Sequence, residues 1–494
     1  MLVHERVVAM PKDSKPNIVL VVDNPVRDMP GLVLLAMELA KQGARAFLVP
    51  MKLQIPEIYL CSPDYVLLPY ARVNNEALIE DLVSRGVKVG VLETEGAVFE
   101  EDFFIHVKAS TNKSIRNIVS HQFVWGSQAY RLSLEHNWYN QDQLFLTGSP
   151  RFDFYTSVFR SALWALEPHI DDYSKPIVLI VTGYTMANPR FHAAETELEN
   201  QIKRYNYDRD FANKILYIHS TNLVKMIEIT NELAKKFPQV TFILRPHPFE
   251  NEKVYIEKLD LDEQSNLHVI RLGTIDQWIS RASLLIHRGS TTSLEAAICN
   301  VPSLTPSWLP ILSVDSRDRL SIEIPNMELL CSTIQRFVQE NYKPTAEYTQ
   351  LKEEILHQTY GTLDGNNHKR VTKVIIESVD KYENSQASYI PSVDRRLAEW
   401  FLPTQTIRNV IRRILIEILH LPINTTLDKV KAFYQPIPWD SSEKRFTVDD
   451  VQKIIDAVVN HVEDFGNIRY QLKRGVFPQH RYLHGRTIVV ETAD

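Results

Sequence analysis

The chain has 494 residues, 44% of them hydrophobic, which is long enough for two or three domains with cores of their own. Its net charge of −6 argues against bulk attraction to nucleic acid, and no apolar run approaches the ~20 residues of a membrane span. Three scattered cysteines without metal spacing, and an N-terminus without a signal-type apolar segment, exclude a disulfide framework and favour a cytoplasmic protein with no metal site.

The first part of the chain alternates short apolar runs with amphipathic stretches, which is typical of βαβ units in parallel sheets. The run NIVLVV at 17–22 predicts a buried strand, and PGLVLLAMELAKQ at 30–42 predicts a helix that Gly43 ends. Further predicted elements are strands at 46–49, 65–68, 87–92, 121–125 and 144–147 and a helix at 75–84. These elements predict a Rossmann-like domain over residues 1–168.

The same alternation restarts after a polar linker near 169–175. It predicts strands at 176–181, 240–244, 268–270 and 283–286 and helices at 223–237, 274–281 and 292–299. We therefore predict a second Rossmann-like domain over residues 176–380. Ligands of such sheets bind at the carboxyl ends of the strands, so a cleft between the two domains is the expected site.

The last part of the chain, 381–494, lacks this alternation and predicts a helical extension. Within it, 406–421 (TIRNVIRRILIEILHL) has an apolar face opposite several arginines. Such a helix packs on its own protein or a partner, or lies on the inner face of the cytoplasmic membrane as a peripheral contact. We favour packing, because Glu417 and the small number of basic residues weaken attraction to anionic lipid.

Two segments of the second domain have the residue types that bind phosphate. In the first, Pro246 and Pro248 fix a turn after a strand and remove backbone donors, so an anion there would be bound by Arg245 and the imidazole of His247. His247 could then stabilise a departing nucleotide. The alternative is a rigid turn in which His247 bonds a nearby carbonyl.

The second segment follows a strand and leads into a helix, where glycine allows close approach and hydroxyls add donors. The predicted nucleotide-binding residues here are His287, Gly289, Ser290, Thr291 and Thr292. Glu295, three residues into the helix, either holds ribose hydroxyls or closes a capping box with Thr292; we favour the ribose. GxGxxG and GxxxxGK[ST] motifs are absent, which argues against a dinucleotide oxidoreductase and a P-loop ATPase.

Glu93 and Glu95 follow the strand at 87–92 and project to the same side of an extended segment. Either carboxylate could act as a general base with a pKa raised by burial or by its neighbour, and the adjoining Gly96 favours Glu95. The alternative is a solvated acidic loop.

Two further segments follow strands. Arg151 could bind a charged substrate or pair with Asp153 in a structural turn. Thr182 and Asn188, after the first strand of the second domain, are weaker candidates for contacts to the donor.

Four segments together resemble the bacterial surface-carbohydrate biosynthesis proteins, transferases of GT-B type related to capsule transferases that use CMP-sugars and to CDP-glycerol glycerophosphotransferases. They are LETEG at 92–96, TGSPRFD at 147–153, RPHP at 245–248 and HRGSTT at 287–292, and the resemblance covers roughly residues 16 to 375. It implies an α/β GT-B fold of an N-terminal acceptor domain and a C-terminal donor domain. In this fold His247 would contact the phosphate of a cytidine nucleotide, and the loop 290–292 would hold the same phosphate or the acid group of the donor. The acidic pair would act on the acceptor hydroxyl, without a cofactor or metal. An Asp is expected at the first acidic position, where this chain has Glu93.

The resulting hypothesis is a metal-independent glycosyltransferase that moves a 3-deoxy-ulosonic or nonulosonic acid from a CMP-activated donor to a saccharide or lipid-linked acceptor, in capsule or other surface polysaccharide biosynthesis. Alternatives are a CDP-glycerol or CDP-ribitol phosphotransferase, a UDP-sugar 2-epimerase, and a non-catalytic scaffold that binds a partner. Self-association as a homodimer is left open.

Overall fold

Short apolar runs that end in polar turns form two mainly parallel sheets in the computed structural model of the chain. It describes residues 15–51, 57–58, 61–97, 112–205, 207–312, 319–339, 345–380, 446–474 and 487–493. Every strand predicted from the sequence is present, with ends that differ by at most one residue. The prediction of an α/β protein with two Rossmann-like domains that face a cleft is confirmed.

The first sheet has the strand order β13-β14-β2-β1-β3-β4-β5-β6, in which β1 to β6 are parallel. Its six parallel strands are β1 Asn17–Val22, β2 Arg45–Pro50, β3 Tyr65–Leu68, β4 Lys88–Leu92, β5 His121–Val124 and β6 Leu144–Leu146. The helices of this part are α1 Pro25–Lys41, α2 Glu76–Ser84, α3 Lys113–Ile118, α4 Ser127–Glu135 and α5 Arg160–Ala165, with a 3-10 helix at Pro150–Tyr155. The order of strands reverses between β1 and β3, which makes their carboxyl ends the expected ligand site of this sheet.

The second sheet has the order β12-β11-β10-β7-β8-β9, all parallel, which is the Rossmann order with its reversal between β7 and β10. Its strands are β7 Ile177–Val181, β8 Thr241–Arg245, β9 Leu267–Val269, β10 Leu284–Ile286, β11 Ser303–Pro306 and β12 Ile322–Ile324. Its helices are α6 Ala194–Tyr205, α7 Arg209–Lys236, α8 Glu252–Lys258, α9 Ile275–Ile279, α10 Thr292–Ile298 and α11 Met327–Gln339. Strands β11 and β12 were not predicted.

Two helices begin earlier than the sequence predicted. Helix α1 starts at Pro25 and carries Pro30 inside it, because Asn24 caps the helix by accepting the Val26 N–H at 3.1 Å. Helix α7 starts at Arg209 after the capping side chain of Asp208. In both cases an Asn or Asp cap upstream decided where the helix begins.

The two sheets share part of their apolar core. Side chains alternate across β1, so Ile18, Leu20 and Val22 pack on one face and Val19 and Val21 on the other. The apolar cluster on the first face continues without a break into one face of the second sheet, where its members include Leu179 of β7, Ile243 of β8 and Leu285 of β10. The two domains are therefore joined by buried apolar surface as well as by the chain.

The last described segments return to the first domain. The remaining elements are α12 Ala346–Tyr360, α13 Asn367–Asp380, α14 Val448–His461, α15 Glu463–Gly466, β13 Tyr470–Arg474 and β14 Ile488–Thr492. Helices α13 and α14 pack against α1, and β14 pairs antiparallel with β2. The extension thus has helices, as predicted, and also two strands of the first sheet. Its amphipathic segment 406–421 lies outside the described residues, and the domain boundaries stay predictions.

Candidate active site

A pocket lies at the carboxyl edge of the first sheet, at the point where the strand order reverses. Residues at or just after the carboxyl ends of β1, β3 and β4 line it, together with α1, Trp125 and the segment 149–151. Its walls are mostly apolar, and its polar lining includes Asp28, Glu93 and Arg151. Gly31 lets α1 approach the backbone of the segment 149–151 closely, because a side-chain carbon at this position would lie 2.6 Å from the Arg151 backbone nitrogen.

The acidic pair predicted after β4 forms one cluster at this pocket. Arg72, which follows β3, donates from Nη2 to Glu93 Oε1 at 3.0 Å and to Glu95 Oε2 at 3.2 Å. Arg27 Nη1 lies 3.8 Å from Glu95 Oε1. One arginine nitrogen therefore brings both carboxylates to the same side, and this positive charge offsets the repulsion between them.

The two carboxylates differ in their surroundings. Burial raises the pKa of Glu93 to about 7, although Arg72 lowers it in part. The side chain of Glu95 is 60% exposed. Glu93 thus has the pKa of a general base that works near neutral pH, while Glu95 is more open to solvent.

A buried carboxylate that the sequence analysis missed organises the turn after β8. Glu250 is fully buried and accepts four hydrogen bonds, two on each oxygen. The Tyr184 N–H and the Tyr255 hydroxyl donate to Oε1 at 3.0 and 2.7 Å, and the Thr182 hydroxyl and the His247 N–H donate to Oε2 at 2.7 and 2.8 Å. Glu250 therefore ties the turn of His247 to the loop after β7.

His247 is exposed in the turn after β8, where its backbone N–H bonds the buried Glu250. Its Nδ1 accepts the Phe249 N–H at 3.2 Å, so the neutral ring carries its proton on Nε2. Loss of hydration and the charge of Arg271 lower its pKa to about 4, while Glu95 on the opposite wall acts to raise it. At neutral pH the side chain is an uncharged donor within electrostatic reach of Glu95.

The guanidinium of Arg245 is hydrogen-bonded to the protein itself. Its Nη1 and Nη2 donate to the carbonyls of Leu272 and Gly273 at 2.6 and 2.9 Å, and burial lowers its pKa to about 10. Arg271, which the sequence analysis did not single out, donates to the carbonyls of Pro248 and Glu250 from the neighbouring loop. The two arginines therefore join the turn of His247 to the loop 271–273 after β9.

The loop after β10 is shaped from within. His287 is fully buried; its Nδ1 accepts the Ser290 N–H at 3.3 Å and its Nε2 bonds Ser321 Oγ at 2.7 Å. Gly289 has a φ of +67°, which other residues rarely adopt. Gly289 and Thr291 are exposed, and Ser290 and Thr292 are half-buried with their hydroxyls 3.0 Å apart. His287 thus supports the loop, and Gly289, Ser290, Thr291 and Thr292 present its surface.

Glu295 bonds to the opposite domain and does not close a capping box, and its ribose role stays a prediction. Its Oε1 accepts Arg151 Nη2 at 2.8 Å and its Oε2 accepts the Tyr155 hydroxyl at 2.6 Å. The N-cap residue Thr291 makes no side-chain capping bond, and Ser290 Oγ accepts the Thr292 N–H at 3.3 Å, so the capping box of Thr292 with Glu295 is not formed. Both carboxylate oxygens bond to the first domain.

Arg151 and Asp153 do not form the structural turn considered for them. Asp153 is fully buried and accepts the N–H groups of Asn367 and His368 at 3.0 and 2.9 Å and His368 Nδ1 at 2.8 Å. Gly148 makes room beside it, since a side-chain carbon there would lie 2.3 Å from Asn367 Oδ1. This part of the TGSPRFD segment is therefore the docking site of α13.

Thr182 and Asn188 are buried and satisfied by protein atoms. Thr182 donates to Glu250 and its hydroxyl oxygen lies 3.0 Å from that of Tyr255, and Asn188 donates to the Asn251 carbonyl at 2.9 Å. They support the turn of His247 rather than open to the cleft.

No group of three or more metal-binding side chains occurs among the described residues. Within the same ranges, no helix has the length and apolar character to cross a membrane.

No protein-family model matches the sequence, and no curated protein matches it either. Solved structures of similar shape include UDP-GlcNAc 2-epimerase from Methanocaldococcus jannaschii, at 14% identity and a TM-score of 0.47, over 74% of this chain and 99% of that one. UDP-GlcNAc 2-epimerase from Neisseria meningitidis bound to UDP-GlcNAc matches at 13% and 0.44, over 74% and 100%. The wall teichoic acid polymerase TagF matches at 11% and 0.46, over 74% and 90%. At this low identity, the reaction of this chain has to be inferred from its own residues.

Proposed function

We propose that the protein is a GT-B glycosyltransferase of surface polysaccharide biosynthesis that uses a CMP-activated acidic sugar. The observation that carries this proposal is the opposition of an acidic pair on one wall of the cleft and an uncharged imidazole on the other. The charge of Glu95 reaches His247, and both sets of residues lie at the carboxyl edges of their sheets.

These groups support the two halves of a glycosyl transfer. The acceptor oxygen bonds to the anomeric carbon, its proton passes to the carboxylate of Glu93 or Glu95, and the bond from the anomeric carbon to the phosphate oxygen breaks. The electron pair leaves with CMP, whose phosphate would accept bonds from His247 Nε2–H and the hydroxyls of Ser290, Thr291 and Thr292. The pKa of Glu93 near 7 suits proton removal at neutral pH.

A titration with CMP, CDP, UDP and GDP, followed by thermal shift and calorimetry, tests the donor. We expect CMP and CDP to bind and UDP and GDP to bind at least tenfold more weakly. Stabilisation by UDP alone would contradict the cytidine donor. Conversion of a UDP-sugar without any acceptor would indicate an epimerase, transfer of phosphate together with a polyol would indicate a phosphotransferase, and tight binding without turnover would indicate a scaffold.

The variant His247→Ala tests the leaving-group role. We expect turnover to fall by about 10² or more, as for other donors to developing charge, with an unchanged circular dichroism spectrum. His192→Ala, in an exposed part of the same domain, is the matched control. Turnover of His247→Ala within a few-fold of the wild type would contradict the role.

A further inference from the structure

Glu295 joins the two domains through a buried polar cluster that the proposed reaction does not use. Tyr155 is 1% exposed, Glu295 is 9% exposed, and the side chain of Arg151 is 16% exposed. Tyr155 and Arg151 come from the 3-10 helix of the first domain, and Glu295 comes from α10 of the second. Each carboxylate oxygen of Glu295 therefore accepts one hydrogen bond from the first domain.

The cluster lies between the two candidate substrate sites. Arg151 lines the pocket of the first domain, and Glu295 follows the loop Gly289–Thr292 by three residues. A shift of Glu295 would move the start of α10 and the loop before it, because α10 is a single short helix of seven residues. The contact to the opposite domain thus adds to the support that His287 gives the loop, by holding the helix that follows it.

The chemistry of the three side chains favours a permanent bond over a passing contact. Burial raises the pKa of the Tyr155 hydroxyl, so it stays a donor at all physiological pH values. The carboxylate of Glu295 raises the pKa of Arg151 in turn, although burial acts against it. A hydrogen bond to a charged acceptor, and a buried charge with a partner, are both costly to break.

We propose that Tyr155, acting through Glu295, is a positioning residue for the nucleotide-binding loop, and that Glu295 is committed to this link rather than to the ribose of the donor. The inference rests on the proposed function, since the loop is taken to bind the donor phosphate. Removal of the Tyr155 hydroxyl should therefore weaken nucleotide binding without altering recognition of the ribose.

The experiment measures binding of CMP and of its 2′-deoxy form by calorimetry to the full-length wild type, Tyr155→Phe, Glu295→Gln and the double variant. We expect each single variant to bind CMP about tenfold more weakly, and the double variant to bind no more weakly than the weaker single one. The ratio of CMP to deoxy-CMP affinity should stay within about twofold of the wild type in all four proteins.

Tyr65→Phe is the matched control. It removes another buried tyrosine hydroxyl of the first domain, bonded to His121 at 2.9 Å, and should lower the melting temperature without changing the affinity for CMP. If Tyr155→Phe behaves like this control, its role is only structural and the inference is overturned.

Two other outcomes are equally decisive. Loss of discrimination between CMP and deoxy-CMP in Glu295→Gln, but not in Tyr155→Phe, would restore Glu295 to the ribose and overturn the inference alone. Failure of the wild type to bind any nucleotide would overturn the proposed function, and this inference with it.

Discussion

Replacing Glu250 by glutamine tests the buried carboxylate beneath His247. The substitution keeps the shape of the side chain but turns one acceptor oxygen into a donor. Each oxygen of Glu250 bonds one hydroxyl, of Thr182 or Tyr255, and one backbone N–H. Whichever oxygen is replaced by the amide nitrogen, the hydroxyl can rotate and accept its hydrogen, but the N–H of Tyr184 or His247 cannot accept. One buried N–H is therefore left without an acceptor, and the other bonds lose a charged partner.

The magnitude follows from these bonds. An unsatisfied buried N–H costs about 1–3 kcal/mol, and the exchange of a charged for a neutral acceptor costs roughly a further 1 kcal/mol in total once the relief of the buried charge is counted. We expect Glu250→Gln to lower the free energy of unfolding by about 3 kcal/mol. For a domain of this size that corresponds to a fall in melting temperature of roughly 6–12 °C.

The assay is differential scanning calorimetry together with CMP binding. Glu228→Gln, on the exposed side of α7, is the control and should change stability by no more than about 0.5 kcal/mol. CMP affinity of Glu250→Gln should fall as well, because the turn that carries His247 loses its anchor. A loss of stability under about 1 kcal/mol would refute the account of the four bonds. A normal CMP affinity would refute the link to His247.

Glu93 should set the pH dependence of the protein. Because its pKa in the folded protein is about 7 and the ordinary value is 4.5, the wild type should lose stability as pH rises from about 4.5 to about 7, and Glu93→Gln should not, as measured by denaturant unfolding. Turnover should rise through pH 7 in the wild type and in Glu95→Gln but not in Glu93→Gln; the same rise in Glu93→Gln would exclude it as the base. Arg72→Met removes the neighbouring positive charge, so the midpoint of this rise should move to higher pH, and an unchanged midpoint would contradict the ion pair. Asp153→Ala leaves three buried donors, including His368 Nδ1, without an acceptor and should cost about 4 kcal/mol in denaturant unfolding, whereas a cost near 1 kcal/mol would mean that α13 docks by its apolar face alone.

The carboxyl-end rule for parallel sheets identified most of the cleft from the sequence. Glu93, Glu95, Arg151, His247 and the loop after β10 all follow strands, and the structure places them at one edge of each sheet. The same rule would have found Arg72, which follows β3, had it been applied to every strand. The roles of these residues in catalysis and binding stay predictions.

Several partners could not be found in this way, because nothing near them in the chain indicates them. Arg245 is of a residue type that binds phosphate, yet its guanidinium donates to two backbone carbonyls of the loop after β9. In the sequence, Glu250 looks like any other acidic residue of a polar turn. Its role is visible only from the bonds that Tyr255 and Thr182 make to it in the folded protein. Burial, which changes the pKa and the cost of an unmade bond, exists only after the segments pack.

The sequence by itself determined the local structure of this protein: the period of its apolar residues set the strands, and the polar turns after them set where chemistry gathers. The tertiary structure alone decided which donor meets which carboxylate. Glu295 bonds Tyr155 from 140 residues away, and Asp153 bonds His368 from 215 residues away. Side-chain hydrogen bonds reach about 3 Å, so such pairs depend on how whole domains pack and not on any pattern within a segment.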